Sequence, residues 1–459
     1  MSTIIRNENE LATLRCGLRL ESRRWFMATR PFLGAKVLGP ELLTPVKEMG
    51  FVSGTPERGM LGGIPGRLPE GVLQQVEKLD AEAAPGAPLW LQVERDAQMA
   101  AVFPWETLLA GRFGRSVLRI PNFLENPWSP RAHVSLAICA SAPVAKGASY
   151  KGAPDLNAGV VRLLTALTES AVFMTPLLEI TLFTGAEVYA DLRNVADRFR
   201  RPGVSISVPD PQETTDLVEQ PRKTTLSGTP SQSPWLAWLA RYYAGIGVDA
   251  VHFLCPGYAA GSRSALALAE SPLRNQDTAW ARFVEVAELA AFYDRLGCAI
   301  MGFTPMGAPV WAEAVRTLAY QLAWMRPGPI LIDDKSGSQN ALSALWKMLL
   351  EGNGMRPGML LALTCYLHPS LALSSDNIED VRAPNPWGEK LAYFVAPNRH
   401  HELYRGGFAA QPPAETLTER MLEAHRTSLS AAAPRSSLDE ARDRGTSAAL
   451  DFLNKVMKQ

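Results

Sequence analysis

The stretch DAVHFLCPGYAAG (residues 249–261) decides the fold class, because an apolar run of strand length stops at the turn residues Pro256 and Gly257. A helix-like segment, WLAWLARYYAGIG (235–247), precedes it, and a second one (278–297) leads into the strand-like CAIMGF (298–303). Strands that are apolar on both faces and alternate with amphipathic helices are typical of a parallel sheet covered on both sides. The sequence therefore predicts an α/β protein with a mostly parallel central sheet.

The alternation of strand-like and helix-like segments divides the chain into three parts. We predict a smaller β-rich region over 1–87, an α/β domain over 88–398 and a helical tail over 399–459. The polar segment 212–232, rich in Ser, Thr and Pro, is predicted to be flexible. The central strands of the domain are expected near 133–140, 178–184, 248–255, 298–303 and 329–333.

The composition excludes several classes of function. The 46 basic residues balance the 46 acidic ones, so the net charge gives no reason to expect general nucleic-acid binding. No apolar run reaches the roughly 18 residues of a membrane span, and the N-terminus lacks the apolar core of a signal peptide. The five cysteines are scattered and form no CxxC motif, which indicates reduced thiols, a cytoplasmic location and no metal site. No glycine-rich phosphate loop occurs, so no cofactor is expected.

Six segments follow one another in an order that resembles a known family, and the last two are GPILIDD (328–334) and WGEKLAYFVAPN (387–398). PWE (104–106) follows a strand-like segment, and SVLRIPN (116–122) is the arginine-containing strand after it. VHFLCPG (251–257) is followed by a hairpin-like segment, and CAIMGFTPMGA (298–308) lies between two helix-like segments. Together they resemble the CHAT domain, the caspase-like peptidase domain of the caspase–gingipain clan, over residues 88–398. The resemblance implies a caspase-like three-layer sandwich around the parallel sheet.

The residues that carry the family's chemistry are missing from the corresponding positions. The family's catalytic histidine falls at Pro256, and His252 corresponds to a non-catalytic histidine four residues earlier. The family's nucleophile falls in GFTPMGA, where Thr304, Pro305 and Met306 stand and no cysteine occurs. Proline has no proton to exchange, and neither proline nor methionine attacks a carbonyl. The resemblance therefore implies that Pro256 and Pro305 mark a degenerate dyad without a catalytic residue.

Neighbouring histidines and cysteines do not restore the dyad in the predicted sheet. His252 and Cys298 lie near the starts of their strands, about 15 Å from the carboxyl edge where the sites of parallel sheets form. His252 and Cys255 point to opposite faces, because side chains alternate along a strand. Cys365 with His368, which follow a strand-like segment, are the best remaining pair and the candidate for a displaced thiol site.

Two further groups are candidate binding residues. Asp333 and Asp334 end a buried strand at the edge where parallel sheets bind ligands, although a helix N-cap and solvation are the more common explanation for two such carboxylates. Trp235 and Trp238 adjoin the polar segment 212–232 and are candidates for exposed contacts with a partner, since aromatic side chains anchor interfaces.

The resemblance implies a function of binding. CHAT-type proteins of bacteria resemble parts of defence and programmed-death systems in which proteases and their partners are encoded together. A member without its dyad is expected to be a catalytically inactive scaffold or regulatory subunit for co-encoded protein partners. Two alternatives stay open: an active cysteine endopeptidase with a displaced nucleophile, and a module that binds a small-molecule signal at Asp333 and Asp334.

Overall fold

The computed structural model describes residues that lie within Met1–Arg399, the first of two units into which the chain divides. They are residues 11–34, 36–52, 66–121, 133–143, 156–171, 177–219, 233–260, 263–274, 281–307, 309–326, 328–334, 338–351 and 363–369. A second unit, His400–Gln459, lies outside the described residues, and so does the predicted helical tail 399–459.

The elements before residue 120 are four strands, a helix, and then two strands joined by a pair of helices. Ser22 and Arg23 have positive φ angles, 49° and 64°, as the two-residue turns of tight hairpins require. The elements are β1 (Ala12–Glu21), β2 (Arg24–Leu33), β3 (Lys36–Val37), β4 (Leu42–Pro45), a 3₁₀ turn (Val46–Met49), α1 (Glu70–Glu82), β5 (Leu89–Val93), α2 (Gln98–Val102), α3 (Trp105–Phe113) and β6 (Val117–Arg119).

The rest of the described chain alternates strands with helices, apart from one small antiparallel sheet. The elements are β7 (His133–Ala140), α4 (Leu156–Ala171), β8 (Leu177–Thr184), α5 (Tyr189–Asp197), β9 (Val204–Ser207), a 3₁₀ turn (Pro211–Thr214), α6 (Thr215–Glu219), α7 (Pro234–Tyr242), β10 (Ala250–Cys255), β11 (Gly257–Ala260), β12 (Arg263–Leu268), β13 (Arg282–Glu285), α8 (Val286–Leu296), β14 (Ile300–Pro305), α9 (Pro309–Met325), β15 (Ile330–Ile332), α10 (Gln339–Glu351) and β16 (Thr364–Tyr366). Strands β11, β12 and β13 form the small sheet.

One large sheet contains the other strands of the described residues, in the order β3-β2-β1-β5-β6-β16-β15-β14-β10-β7-β8-β9, with β4 on β2. The strands β15, β14, β10, β7, β8 and β9 are mutually parallel, and we call them the forward block. The strands β16, β6, β5 and β1 are also mutually parallel but run the other way, and we call them the reverse block. The two blocks meet where β15 and β16 pair antiparallel.

The predicted central strands are confirmed, and VHFLC and IMGF lie side by side in the forward block. The large, mostly parallel sheet of an α/β protein is confirmed as well. The sheet differs from the prediction in its reversal at β16. It also continues into the β-rich region 1–87, because β1 pairs with β5 across the predicted boundary at residue 87.

Helices cover both faces of the forward block. On one face Val251, Phe253 and Cys255 belong to a buried apolar cluster that includes residues of α7, α8 and α9. On the other face Ala250 and Leu254 belong to a second cluster with residues of α4, α5 and α10. Strands between two helix layers are buried on both faces, which explains why their sequences are continuously apolar.

Part of the segment predicted to be flexible is helical. Residues 212–219 lie in the 3₁₀ turn and in α6, while 220–232 lie outside the described residues. Arg241 of α7 holds this part through both oxygens of Asp216, at 2.8 and 2.7 Å. No helix of the described residues is long and apolar enough to cross a membrane.

Candidate functional site

The two degenerate dyad positions lie next to each other at the carboxyl edge of the forward block. Cys255 and Pro305 are register partners on β10 and β14, so Pro256 and Met306 come directly after the paired strand ends. The Met306 N–H donates to the Cys255 carbonyl at 3.1 Å, and Met306 is fully buried. The Pro256 carbonyl accepts from the Ala267 N–H at 2.9 Å. These groups offer neither a nucleophile nor a base.

His252 is a buried structural residue that joins β10 to β14. Its Nε2 lies 2.8 Å from Thr304 Oγ1, and its ring centroid lies 5.8 Å from that of Trp346 in α10. Burial lowers the pKa of His252 to about 3, so the ring is neutral at physiological pH. Cys255 belongs to the apolar cluster on the opposite face, which confirms that the two side chains diverge.

Gly302 leaves the room that the His252 ring occupies. The two residues are register partners, and a β-carbon on Gly302 would lie 2.9 Å from Cγ of His252 and still closer to Nδ1. A glycine at this point of β14 is therefore required by the imidazole across the strand pair.

Cys365 and His368 belong to the strand that runs against the forward block. Cys365 is inside β16, and β16 runs antiparallel to β15, so His368 follows at the edge where the forward strands begin. Cys365 is fully buried, and burial raises the pKa of its thiol. Burial also lowers the pKa of His368 to about 4. Both pKa changes oppose proton transfer from the Cys365 thiol to the His368 imidazole.

Asp333 and Asp334 are both ion-paired and largely withdrawn from solvent. Arg162 of α4 donates to Asp333 through Nε at 2.9 Å and through Nη2 at 3.1 Å. Arg316 of α9 donates to Asp334. The cap of α10 is Ser338 instead, whose Oγ accepts from the Ala341 N–H at 3.1 Å. The two carboxylates thus fasten one helix from each layer to the end of β15.

The expectation that Trp235 and Trp238 are exposed is wrong. Both side chains are buried, because positions i and i+3 of α7 share the face that packs on the sheet. Trp235 Nε1 donates to the Ala269 carbonyl at 3.0 Å. Trp238 meets Phe183 of β8 edge-on at a centroid distance of 4.9 Å. They stabilise the core and form no contact surface.

A buried ion pair that the sequence did not predict joins two of the resemblance motifs. Arg119, in SVLRIPN, donates to Glu106 of PWE through Nε at 2.6 Å and Nη2 at 3.1 Å. Arg119 also donates to the Phe103 carbonyl at 3.1 Å and to the Tyr366 hydroxyl at 3.2 Å. Neither charged side chain is exposed to solvent by more than 2%. The pair links α3 to β6 and β16, beside the junction of the two blocks. Each of the two motifs contains a charged residue, but no sequence pattern indicates that these two residues form an ion pair.

None of the cysteines of this chain presents its thiol to solvent. All five cysteines are free and buried, and burial is the main cause that raises the thiol pKa of each of them, in Cys298 to about 12. Within the described residues, no group of three or more His, Cys, Asp or Glu side chains could hold a metal ion.

Comparison with known proteins places the chain in no family. No family description, no curated protein and no solved structure matches it.

Proposed function

We propose that this protein is a catalytically inactive caspase-like scaffold or regulatory subunit that binds protein partners, encoded beside it in a bacterial defence or programmed-death system. The observation that carries the proposal is the burial of every cysteine in the chain, together with prolines at both dyad positions. A peptidase of this class needs an exposed thiolate and a base within about 3 Å. Free thiols throughout also favour a reducing compartment such as the cytoplasm.

The two alternative functions have less support from the geometry. A displaced nucleophile at Cys365 would have to leave the core and lose its proton to an imidazole whose own pKa is low. A small-molecule signal at Asp333 and Asp334 would have to displace Arg162 and Arg316 from the carboxylates. Both changes cost free energy before any ligand or substrate is bound.

The test is co-expression of the tagged protein with the products of the adjacent genes. The proposal predicts a stoichiometric complex with at least one of them, no cleavage of any, and the same result with Cys365→Ala. Cys298→Ala is the matched control, since it removes another buried thiol that is remote from His368 along the chain. Cleavage by the wild type and Cys298→Ala that disappears in Cys365→Ala would overturn the proposal in favour of the peptidase. The absence of any complex with the co-encoded proteins would reject the scaffold.

A further inference from the structure

Strand β13 of the small sheet has a free side. Strand β12 lies between β11 and β13, and no strand of the described residues pairs with the other side of β13. The inner face of the sheet, which includes Leu266, Leu268 and Val284, belongs to the buried cluster that also contains residues of α9. That face fixes the sheet on the core, and the free side of β13 is an edge to which a further strand can be added.

The main-chain groups on this free side belong to Phe283 and Glu285. The Ala267 N–H donates to the Pro256 carbonyl at 2.9 Å, so the main chain of Ala267 faces β11. Its register partner on β13 is Phe283, whose N–H and C=O therefore point away from β12. The N–H of Glu285 points the same way, because main-chain groups alternate along a strand. Within the described residues, no main-chain hydrogen bond to another element uses these three groups.

Two aromatic rings lie in contact on the outer face of the same sheet. The ring centroids of Tyr258 on β11 and Phe283 on β13 are 4.5 Å apart, and the two residues are 47% and 46% exposed. Their register partners on β12 are Ala265 and Ala267, whose small side chains leave room for the rings to meet. The pair can anchor another chain, since aromatic side chains are enriched where proteins bind a partner.

The end of β13 that carries Glu285 has more negative than positive charge. Glu285 pairs with Arg263 at 3.8 Å, which is too long for a hydrogen bond, and the Glu285 side chain is 52% exposed. In the first turn of α8, burial is the main cause that raises the pKa of Glu288, the Ser233 N–H at 2.8 Å lowers it, and Glu285 raises it again. Arg282 points to the inner face, because side chains alternate along a strand. Two carboxylates and one exposed guanidinium group thus stand at this end, and a cation fits opposite Glu285.

We propose that the free side of β13 binds an extended segment of a partner protein, which joins the small sheet as a fourth, antiparallel strand. The segment places an aromatic side chain opposite Phe283 and a lysine or arginine opposite Glu285, so it contains the pattern basic–x–aromatic. Main-chain hydrogen bonds hold such a strand, and alternate side chains select it. Aromatic pairs and opposite charges are favourable cross-strand pairs. This surface rests on the proposed scaffold function only in that the partner is a protein.

The size of the surface favours a peptide segment over a second copy of the folded chain. Strand β13 has four residues, Arg282–Glu285. The two half-exposed rings offer roughly 200 Å² of further surface. A stable interface between folded proteins buries about 1,200–2,000 Å², which this edge does not approach. An extended segment needs only the edge and contacts for alternate side chains.

The test is fluorescence anisotropy of a labelled peptide, Gly-Thr-Lys-Thr-Phe-Thr-Gly, titrated with the full-length protein. The wild type should bind it saturably. Phe283→Ala should weaken the binding about ten-fold or more, because it removes the aromatic contact. Ile246→Ala is the matched control, an exposed apolar residue that precedes β10, and should bind like the wild type. Equal binding by wild type and Phe283→Ala, or no saturable binding by the wild type, would overturn the proposal.

A charge exchange tests the register with variants of an exposed residue. Glu285→Lys should weaken the binding of the lysine peptide and strengthen that of the same peptide with glutamate in place of lysine. Glu285→Lys and Phe283→Ala should both keep the Tm of the wild type, because both side chains are exposed. Weaker binding of both peptides by Glu285→Lys would contradict the register. Equal binding of the reversed peptide, Gly-Thr-Phe-Thr-Lys-Thr-Gly, by the wild type would contradict the antiparallel direction.

Two further measurements separate this surface from the scaffold function and from self-association. Phe283→Ala should lose the complex that the wild type forms with the product of an adjacent gene. A complex retained by Phe283→Ala would overturn the surface and leave the scaffold function intact. Peptide binding by a wild type that forms no such complex would support the surface and reject the scaffold. A concentration-dependent dimer in analytical ultracentrifugation that Phe283→Ala abolishes would overturn the peptide partner in favour of a second copy.

Discussion

The strands of the two blocks point in opposite directions, so their carboxyl ends lie at opposite edges of one sheet. The two edges differ in the side chains that they carry. The forward block ends in Pro256, in the buried Met306 and in the ion-paired Asp333. The reverse block ends, in β16, near Cys365 and His368, both buried. Since β15 and β16 run antiparallel, residues that end these two strands are separated by the length of the strands. A histidine or thiol from one block cannot complete a site on the edge of the other.

The two blocks also differ in the kind of polar pair that is buried at each of them. The forward block holds the neutral pair His252 and Thr304, whereas the reverse block holds the charged pair Glu106 and Arg119. A neutral histidine gains a charge when the pH falls, but an arginine keeps its charge at every pH at which the protein folds. The junction between the blocks therefore depends on an intact ion pair, whereas sensitivity to acid comes from the buried neutral histidines His252 in the forward block and His368 after β16.

The largest effect is expected from breaking the charged pair. Glu106→Ala leaves the Arg119 guanidinium buried without its carboxylate, and removal of one partner from a buried pair costs about 3–5 kcal/mol. Urea denaturation should show that loss in the free energy of unfolding. Glu77→Ala is the control, because Glu77 pairs with Arg112 at an exposed site and such pairs contribute about 0–1 kcal/mol. Equal losses in the two variants would refute the central place of the ion pair at the junction.

The next effect is the loss of stability in mild acid. An unfolded histidine titrates near pH 6.5, whereas the folded pKa is about 3 for His252 and about 4 for His368. Below pH 6.5 the unfolded chain binds protons that the folded chain excludes, so stability falls as the pH falls towards about 4. Each histidine contributes up to about 1.4 kcal/mol per pH unit. His368→Gln should remove about half of this slope, as measured by urea denaturation at a series of pH values.

Features that depend on neighbouring residues in the chain could be predicted from the sequence, whereas features that depend on contacts between separate elements could not. The strands β10 and β14 and the opposed directions of His252 and Cys255 are local properties of apolar runs and of the period of two. The direction of β16 is not a local property, because a three-residue apolar strand fits a sheet in either orientation. Asp333 pairs with Arg162, which is 171 residues away, and no sequence pattern shows such a pairing. The partners of Asp334 and Glu106 are only 18 and 13 residues away, but many other charged residues are equally near in sequence. The burial of Trp235 and Trp238 was readable from their i, i+3 spacing in α7.

A smaller effect is expected from filling the space above Gly302. Gly302→Ala places a methyl group against the His252 ring, which is buried, and overpacking of this kind costs about 1–3 kcal/mol. The loss should shrink in the double variant with His252→Ala, because the ring that collides is absent. Additive losses in the double-mutant cycle would show that the ring and the glycine do not interact.

The most direct measurement of the central claim is thiol labelling of the native protein, followed by mass spectrometry of each cysteine. Because all five thiols are buried and hold their protons, a thiol-reactive peptidase probe should label none of them in the folded protein and all five after unfolding in denaturant. Fast labelling of Cys365 alone in the folded protein, with cleavage of a peptide substrate that Cys365→Ala abolishes, would contradict the claim that this chain has no catalytic thiol.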